Sequence, residues 1–77
     1  MVLTETNLIG YLRDTLSLDG PDPETALFST GALDSVAMLS LIAFVEEASG
    51  IEVRPEHVTL ENFDTPARIV RFASGLQ

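Results

Sequence analysis

The chain of 77 residues has no cysteine, no tryptophan and no lysine. Without cysteine there is neither a disulfide framework nor a thiolate metal site. The lone His57 cannot build a zinc site by itself, so no metal site is read from the chain. Bases are scarce as well: Arg13, Arg54, Arg68 and Arg71 stand against 12 acids, for a net charge of −8. So acidic a chain repels nucleic acid and anionic lipid, and both drop out as partners. No run approaches ~18 uninterrupted apolar residues, so no membrane span is expected. No basic stretch followed by an apolar one marks a secretory signal. The expectation is a cytoplasmic monomer.

What is present is apolar: 45% of residues are hydrophobic and the mean hydropathy is +0.25. That is generous for a core built from side chains alone. The length sits near the lower limit for folding without staples, and residues 1–77 are read as one domain. The acidity either draws the chain to basic protein surfaces or only keeps it soluble; charge by itself does not decide.

Periodicity and punctuation predict the elements. Thr4 is an N-cap, and Leu3 and Leu8 form a hydrophobic staple. Leu8, Ile9, Leu12 and Leu16 recur at helical spacing, with Tyr11 on the flank, so a first helix is expected to end near Leu16 to Leu18. Gly10 within it costs about 1 kcal/mol relative to alanine. Asp19-Gly20-Pro21-Asp22-Pro23 opens a long loop through residue 34 that is neither helix nor central strand. Leu27, Phe28 and Leu33 are its expected pins into the core. A second helix is expected from about Ser35 to Ser49, stopped by Gly50. Ile51-Glu52-Val53 alternates like a strand but has no strand to pair with, so it reads as an extended connector. A short helical turn falls between Pro55 and Phe63. Thr65 caps a last helix with Pro66 at its first position, apolar at Ile69, Val70, Phe72 and Ala73, and ended by Gly75. Arg68 and Arg71 point to solvent. Three main helices, one short helix and a long first loop make a small all-α, four-helix bundle.

Ser35 is the residue that points to chemistry. Asp34 precedes it as an N-cap, and the apolar run from Val36 to Val45 follows it. A serine at a helix start on an exposed rim is suited to carry an anionic group near the positive end of the helix dipole. On the second helix, Met38, Leu41, Ile42, Val45 and Ala48 form the core stripe. Val36, Leu39 and Ala43 lie on another side around Ser35, with Ser40, Glu46 and Glu47 as neighbours. That apolar patch beside the serine reads as a docking surface, against the plainer reading of scattered exposed apolar residues.

Leu33-Asp34-Ser35-Val36, opening a long helix after a long loop, resembles the Asp-Ser-Leu motif of acyl carrier proteins. The likeness extends to length, acidity, helix order, the Ile51-Glu52-Val53 connector and Glu61-Asn62-Phe63-Asp64-Thr65 before the last helix. It implies the acyl-carrier bundle. It also implies that Ser35 is esterified by 4′-phosphopantetheine, donated by coenzyme A through a phosphopantetheinyl transferase. Leu33, Asp34 and Val36 are then the motif's flanking residues, and the family's transferase reaction uses magnesium near Asp34. The arm's thiol carries acyl or aminoacyl groups as thioesters. An adenylating enzyme or acyltransferase loads them, and a downstream synthase consumes them. The domain itself is no enzyme.

The chain departs from the family's pattern in places. Val36 replaces the usual Leu. Ala37, Met38, Leu39 and Ser40 stand where fatty-acid carriers tend to have acids, so docking should rest on apolar contact more than on charge. Peptidyl carriers of large synthetases often have His before the serine, where this chain has Asp34. The absence of lysine is unlike a housekeeping carrier. These departures suggest a freestanding carrier of a polyketide (antibiotic) or hybrid aminoacyl pathway. Three rival readings stand beside this one. An enzyme using Ser35 and His57 lacks a Gly-x-Ser-x-Gly elbow. A calcium loop using Asp19, Asp22 and Glu24 lacks the acid spacing. An unmodified helical adaptor of carrier-like fold is opposed by nothing in the sequence.

Overall fold

Thr4 opens the first helix as expected. In the computed structural model, which describes residues 3–76, its hydroxyl accepts from the Asn7 N–H at 3.1 Å. Helix α1 spans Glu5–Asp14, with Glu5 in the first turn and Arg13 in the last, both matched to the helix dipole. Leu8 and Leu12 are fully buried, and Leu3 joins them in the core. Each such side chain contributes about 1.5–3 kcal/mol on burial. The helix stops short of the expected Leu16 to Leu18. Ser17 takes the left-handed conformation at φ 58°, and the Leu18 N–H donates back to the Leu12 carbonyl at 3.0 Å. That bond folds the chain back over the last turn of the helix. Leu16 and Leu18 still fold onto the core, half-buried.

The long loop is tied down along its length. Asp22 nucleates a turn: its carboxylate accepts from the Glu24 N–H and its own N–H donates to the Thr25 hydroxyl, both at 2.8 Å. The Pro23 carbonyl accepts from the Ala67 N–H at 3.0 Å. Leu27 and Leu33 are buried and Phe28 is half-buried, as the pins were expected to be.

Helix α2 spans Ser35–Ser49 and ends on Gly50, whose φ of 72° favours glycine. Leu41 and Val45 are fully buried, with Met38, Ile42 and Ala48 half-buried beside them. The buried face is wider than the expected stripe. Ala37 also packs against the core, and Phe44 does so with its ring stacked on Tyr11 at 4.1 Å and 11°. The buried Ser49 donates its hydroxyl to the Val45 carbonyl, which satisfies it inside the helix.

The connector after Gly50 is extended, and no strand occurs among the described residues. A 3-10 turn at Pro55–His57 and helix α3 at Leu60–Phe63 replace the single turn expected there. Thr59 divides them by capping α3, its hydroxyl accepting from the Asn62 N–H at 3.2 Å. Helix α4 spans Pro66–Leu76. Thr65 caps it, accepting from the Arg68 N–H at 3.1 Å. The helix runs through Gly75 rather than ending there, because that glycine keeps an ordinary φ. Ile69 and Ala73 are buried, and Phe72 lies between His57 and Phe63. Helix α4 packs on α1, α2 and α3 and so holds the bundle together.

Candidate functional site

Ser35 is the first residue of α2 and is exposed. Asp34 has extended backbone, and one carboxylate oxygen accepts from the Ala37 N–H at 2.9 Å. The Asp34 carbonyl accepts from the Met38 N–H at 3.0 Å. The other carboxylate oxygen accepts no hydrogen bond among the described residues. The N–H groups of Ser35 and Val36 precede the first helical bond and have no intrahelical partner. An exposed hydroxyl thus sits beside open donors at the positive end of a helix of 15 residues. A tetrahedral anion bonded to Oγ would meet favourable charge there and displace nothing buried.

The turn that presents the serine is anchored at both ends. Leu33 is buried, and its N–H donates to the Leu27 carbonyl at 2.8 Å. Gly31, at φ 80°, donates to the Phe28 carbonyl at 3.1 Å. Asp64, from the corner between α3 and α4, holds the far side. One of its carboxylate oxygens accepts from the N–H groups of Phe28 and Ser29, each at 2.9 Å. The other accepts from the Ser29 hydroxyl at 2.8 Å. Its main-chain carbonyl takes the Leu27 N–H at 2.6 Å. These donors, the Ser29 N–H foremost, hold the Asp64 carboxyl below its ordinary range, against the opposing push of burial.

The patch read from the sequence is laid out along α2. Val36 and Leu39 are 70% and 69% exposed, and Ala43 is exposed on the same face. Ser40 lies beside them and meets the Tyr11 hydroxyl; burial raises the Tyr11 pKa and that contact lowers it, burial prevailing. Glu47 is exposed. Glu46 is half-buried, and its carboxylate accepts from the Val53 N–H at 2.9 Å, fixing the connector. No charged residue occurs on α2 before Glu46. His57 caps its own 3-10 turn, Nδ1 accepting from the Arg54 N–H at 3.1 Å. No group of three or more His, Cys, Asp or Glu that could hold a metal occurs among the described residues. Sequence reasoning missed Asp64 and Ser29. The one local signal was an acid just ahead of the Thr65-Pro66 helix start.

Comparison with known proteins bears on this arrangement. The family model described as "Phosphopantetheine attachment site" matches residues 7–73. The D-alanyl carrier protein 1 of Lactiplantibacillus plantarum is 31% identical over 75 residues, covering 96% of this chain and 94% of that protein.

Proposed function

Because this chain belongs to the family of phosphopantetheine attachment domains, we propose that Ser35 is its attachment residue and that residues 1–77 act as one carrier domain. Members of this family bear 4′-phosphopantetheine covalently and are carriers without catalysis of their own. The observation that carries the assignment is the exposed Ser35 hydroxyl at the N-terminus of α2, beside open N–H donors. Leu33 anchors the turn, Asp34 caps the helix, and Val36 begins the exposed face. Asp34 also keeps one carboxylate oxygen available toward the magnesium that the transferase reaction uses. In the modification, Ser35 Oγ forms a bond to the phosphorus that bears pantetheine. The bond from that phosphorus to the adenosine half of coenzyme A breaks, and the hydroxyl proton leaves to base or solvent. The attached arm supplies a thiol that holds its cargo as a thioester. A tethered cargo has a high effective concentration at any enzyme the domain docks to.

The cargo proposed is an aminoacyl group loaded by an adenylating enzyme and passed to a downstream enzyme. The D-alanyl carrier relative supports it. An acyl group of a polyketide pathway, loaded by an acyltransferase, is the second reading. The uncharged first three turns of α2 favour it, since fatty-acid carriers tend to be acidic there. Docking is assigned to Val36, Leu39, Ser40, Ala43, Glu46 and Glu47. A coenzyme A donor supports a cytoplasmic location, and no helix among the described residues is long and apolar enough to cross a membrane.

The deciding experiment is intact mass after incubation with coenzyme A, magnesium and a promiscuous phosphopantetheinyl transferase. One phosphopantetheine is expected on the wild type and none on Ser35→Ala. No gain on a folded wild type would leave the unmodified adaptor as the better reading. With the arm in place, ATP, D-alanine and a D-alanine-adenylating enzyme should add one alanyl group. Loading by a malonyl transferase instead would favour the polyketide reading.

A further inference from the structure

Ser35 follows a turn whose bonds begin at the corner between α3 and α4. Asp64 grips three consecutive residues of the loop: the N–H groups of Leu27, Phe28 and Ser29, and the Ser29 hydroxyl. The carbonyl of Leu27 then takes the Leu33 N–H, and that of Phe28 takes the Gly31 N–H. The segment from Leu27 to Leu33 is therefore a closed turn fastened to the α3–α4 corner. Two residues past Leu33 stands Ser35, with Asp34 between them capping α2. Nothing else in the turn offers a carboxylate to these amides. Thr30 bonds locally to the Ala26 carbonyl, and Asp34 bonds forward into α2.

We propose that Asp64 is a positioning residue for the reaction at Ser35: it fixes the turn that sets where the serine hydroxyl stands when the transferase engages it. The proposal rests on the reading of Ser35 as the attachment residue. An in-line displacement at phosphorus needs the attacking oxygen within a narrow range of position, and a shift of about 1 Å can cost as much as a hundredfold in rate. Asp64 touches neither the serine nor the group it receives, so its effect passes entirely through residues 27–34. With alanine at 64, the Phe28 and Ser29 amides and the Ser29 hydroxyl lose their acceptor, and only the Leu27 N–H still ties the turn to residue 64. Asparagine keeps an acceptor for the two amides, and its side-chain amide can donate to the Ser29 hydroxyl, so it restores most of the grip.

The test separates position from folding. When a protein substrate is partly unfolded, its apparent KM rises, yet the rate at saturating substrate is unchanged. A displaced serine lowers kcat itself. Steady-state modification is measured for the apo wild type, Asp64→Ala, Asp64→Asn and Ile69→Val. The last trims the core on α4 and leaves the loop's bonds intact. The expected result is a kcat about tenfold lower in Asp64→Ala, largely recovered in Asp64→Asn and unchanged in Ile69→Val. A wild-type kcat in Asp64→Ala overturns the proposal, whatever its KM. A wild type that takes no phosphopantetheine overturns the reading of Ser35, and this proposal with it. A modified wild type with unaffected Asp64→Ala overturns this proposal alone.

Discussion

Two carboxylates organise the candidate site, and they do different work. Asp34 acts within its own helix and Asp64 acts across the fold. Replacing Asp34 with alanine removes one N-cap bond and should cost about 1 kcal/mol in urea unfolding. Replacing Asp64 with alanine leaves the part-buried N–H groups of Phe28 and Ser29 without their acceptor and should cost about 1 kcal/mol at neutral pH. The Asp64 contribution also carries a pH signature. Its folded pKa is depressed, so the unfolded chain binds the proton more readily. The stabilisation is therefore complete above the ordinary carboxylate range, about pH 4, and fades as pH falls through the folded value. The gap in unfolding free energy between wild type and Asp64→Ala should thus narrow below about pH 4. A gap independent of pH would assign the loss to packing instead. Asp34 and Ser35 were legible in the sequence because an N-cap is a local signal. Asp64 was not, because its partners lie 35 and 36 residues away and no spacing rule links them.

Among the elements, α1 is the least settled by its own sequence. Gly10 sits mid-helix, and a methyl group added there would meet no atom within 4 Å. Gly10→Ala should raise stability by about 1 kcal/mol in thermal or urea unfolding. Ser17 takes a left-handed conformation in the turn that follows the helix, where glycine is preferred. Ser17→Gly should add about 0.5 kcal/mol, the relief of the strained φ exceeding the entropy glycine brings to the unfolded chain. A loss of stability in either variant would contradict the local account. No glycine marks the end of α1 at Asp14, and a serine gives no warning of the positive φ that follows, whereas Gly50 at the end of α2 does. The caps Thr4, Asp34 and Thr65 were all readable, since each is a side-chain oxygen three residues ahead of a free N–H. The wider buried face of α2 was not, because Phe44 is covered by Tyr11 of another helix.

At the scale of the whole molecule, charge and apolar surface are separated. The net charge is −8, yet α2 presents Val36, Leu39 and Ala43 with no charge among its first eleven residues, 35–45. Val36→Ser and Leu39→Ser should each change stability by no more than about 0.5 kcal/mol, since both side chains are mostly in water already. They should weaken binding to the loading enzyme, as read by calorimetry. That affinity should hold nearly constant over about a tenfold rise in salt; a steep fall would show that the acids direct docking. The all-helical architecture was legible because apolar spacing and Pro and Gly punctuation agree along the chain. The fastening of loop to corner came only from the folded arrangement. The stack of Tyr11 on Phe44 also has an optical consequence. The chain has one tyrosine and no tryptophan, so its ultraviolet emission arises almost wholly from that ring. Light from this protein reports the seam between α1 and α2, and a change in that light when Ser35 reacts would mean that the event had travelled down the helix.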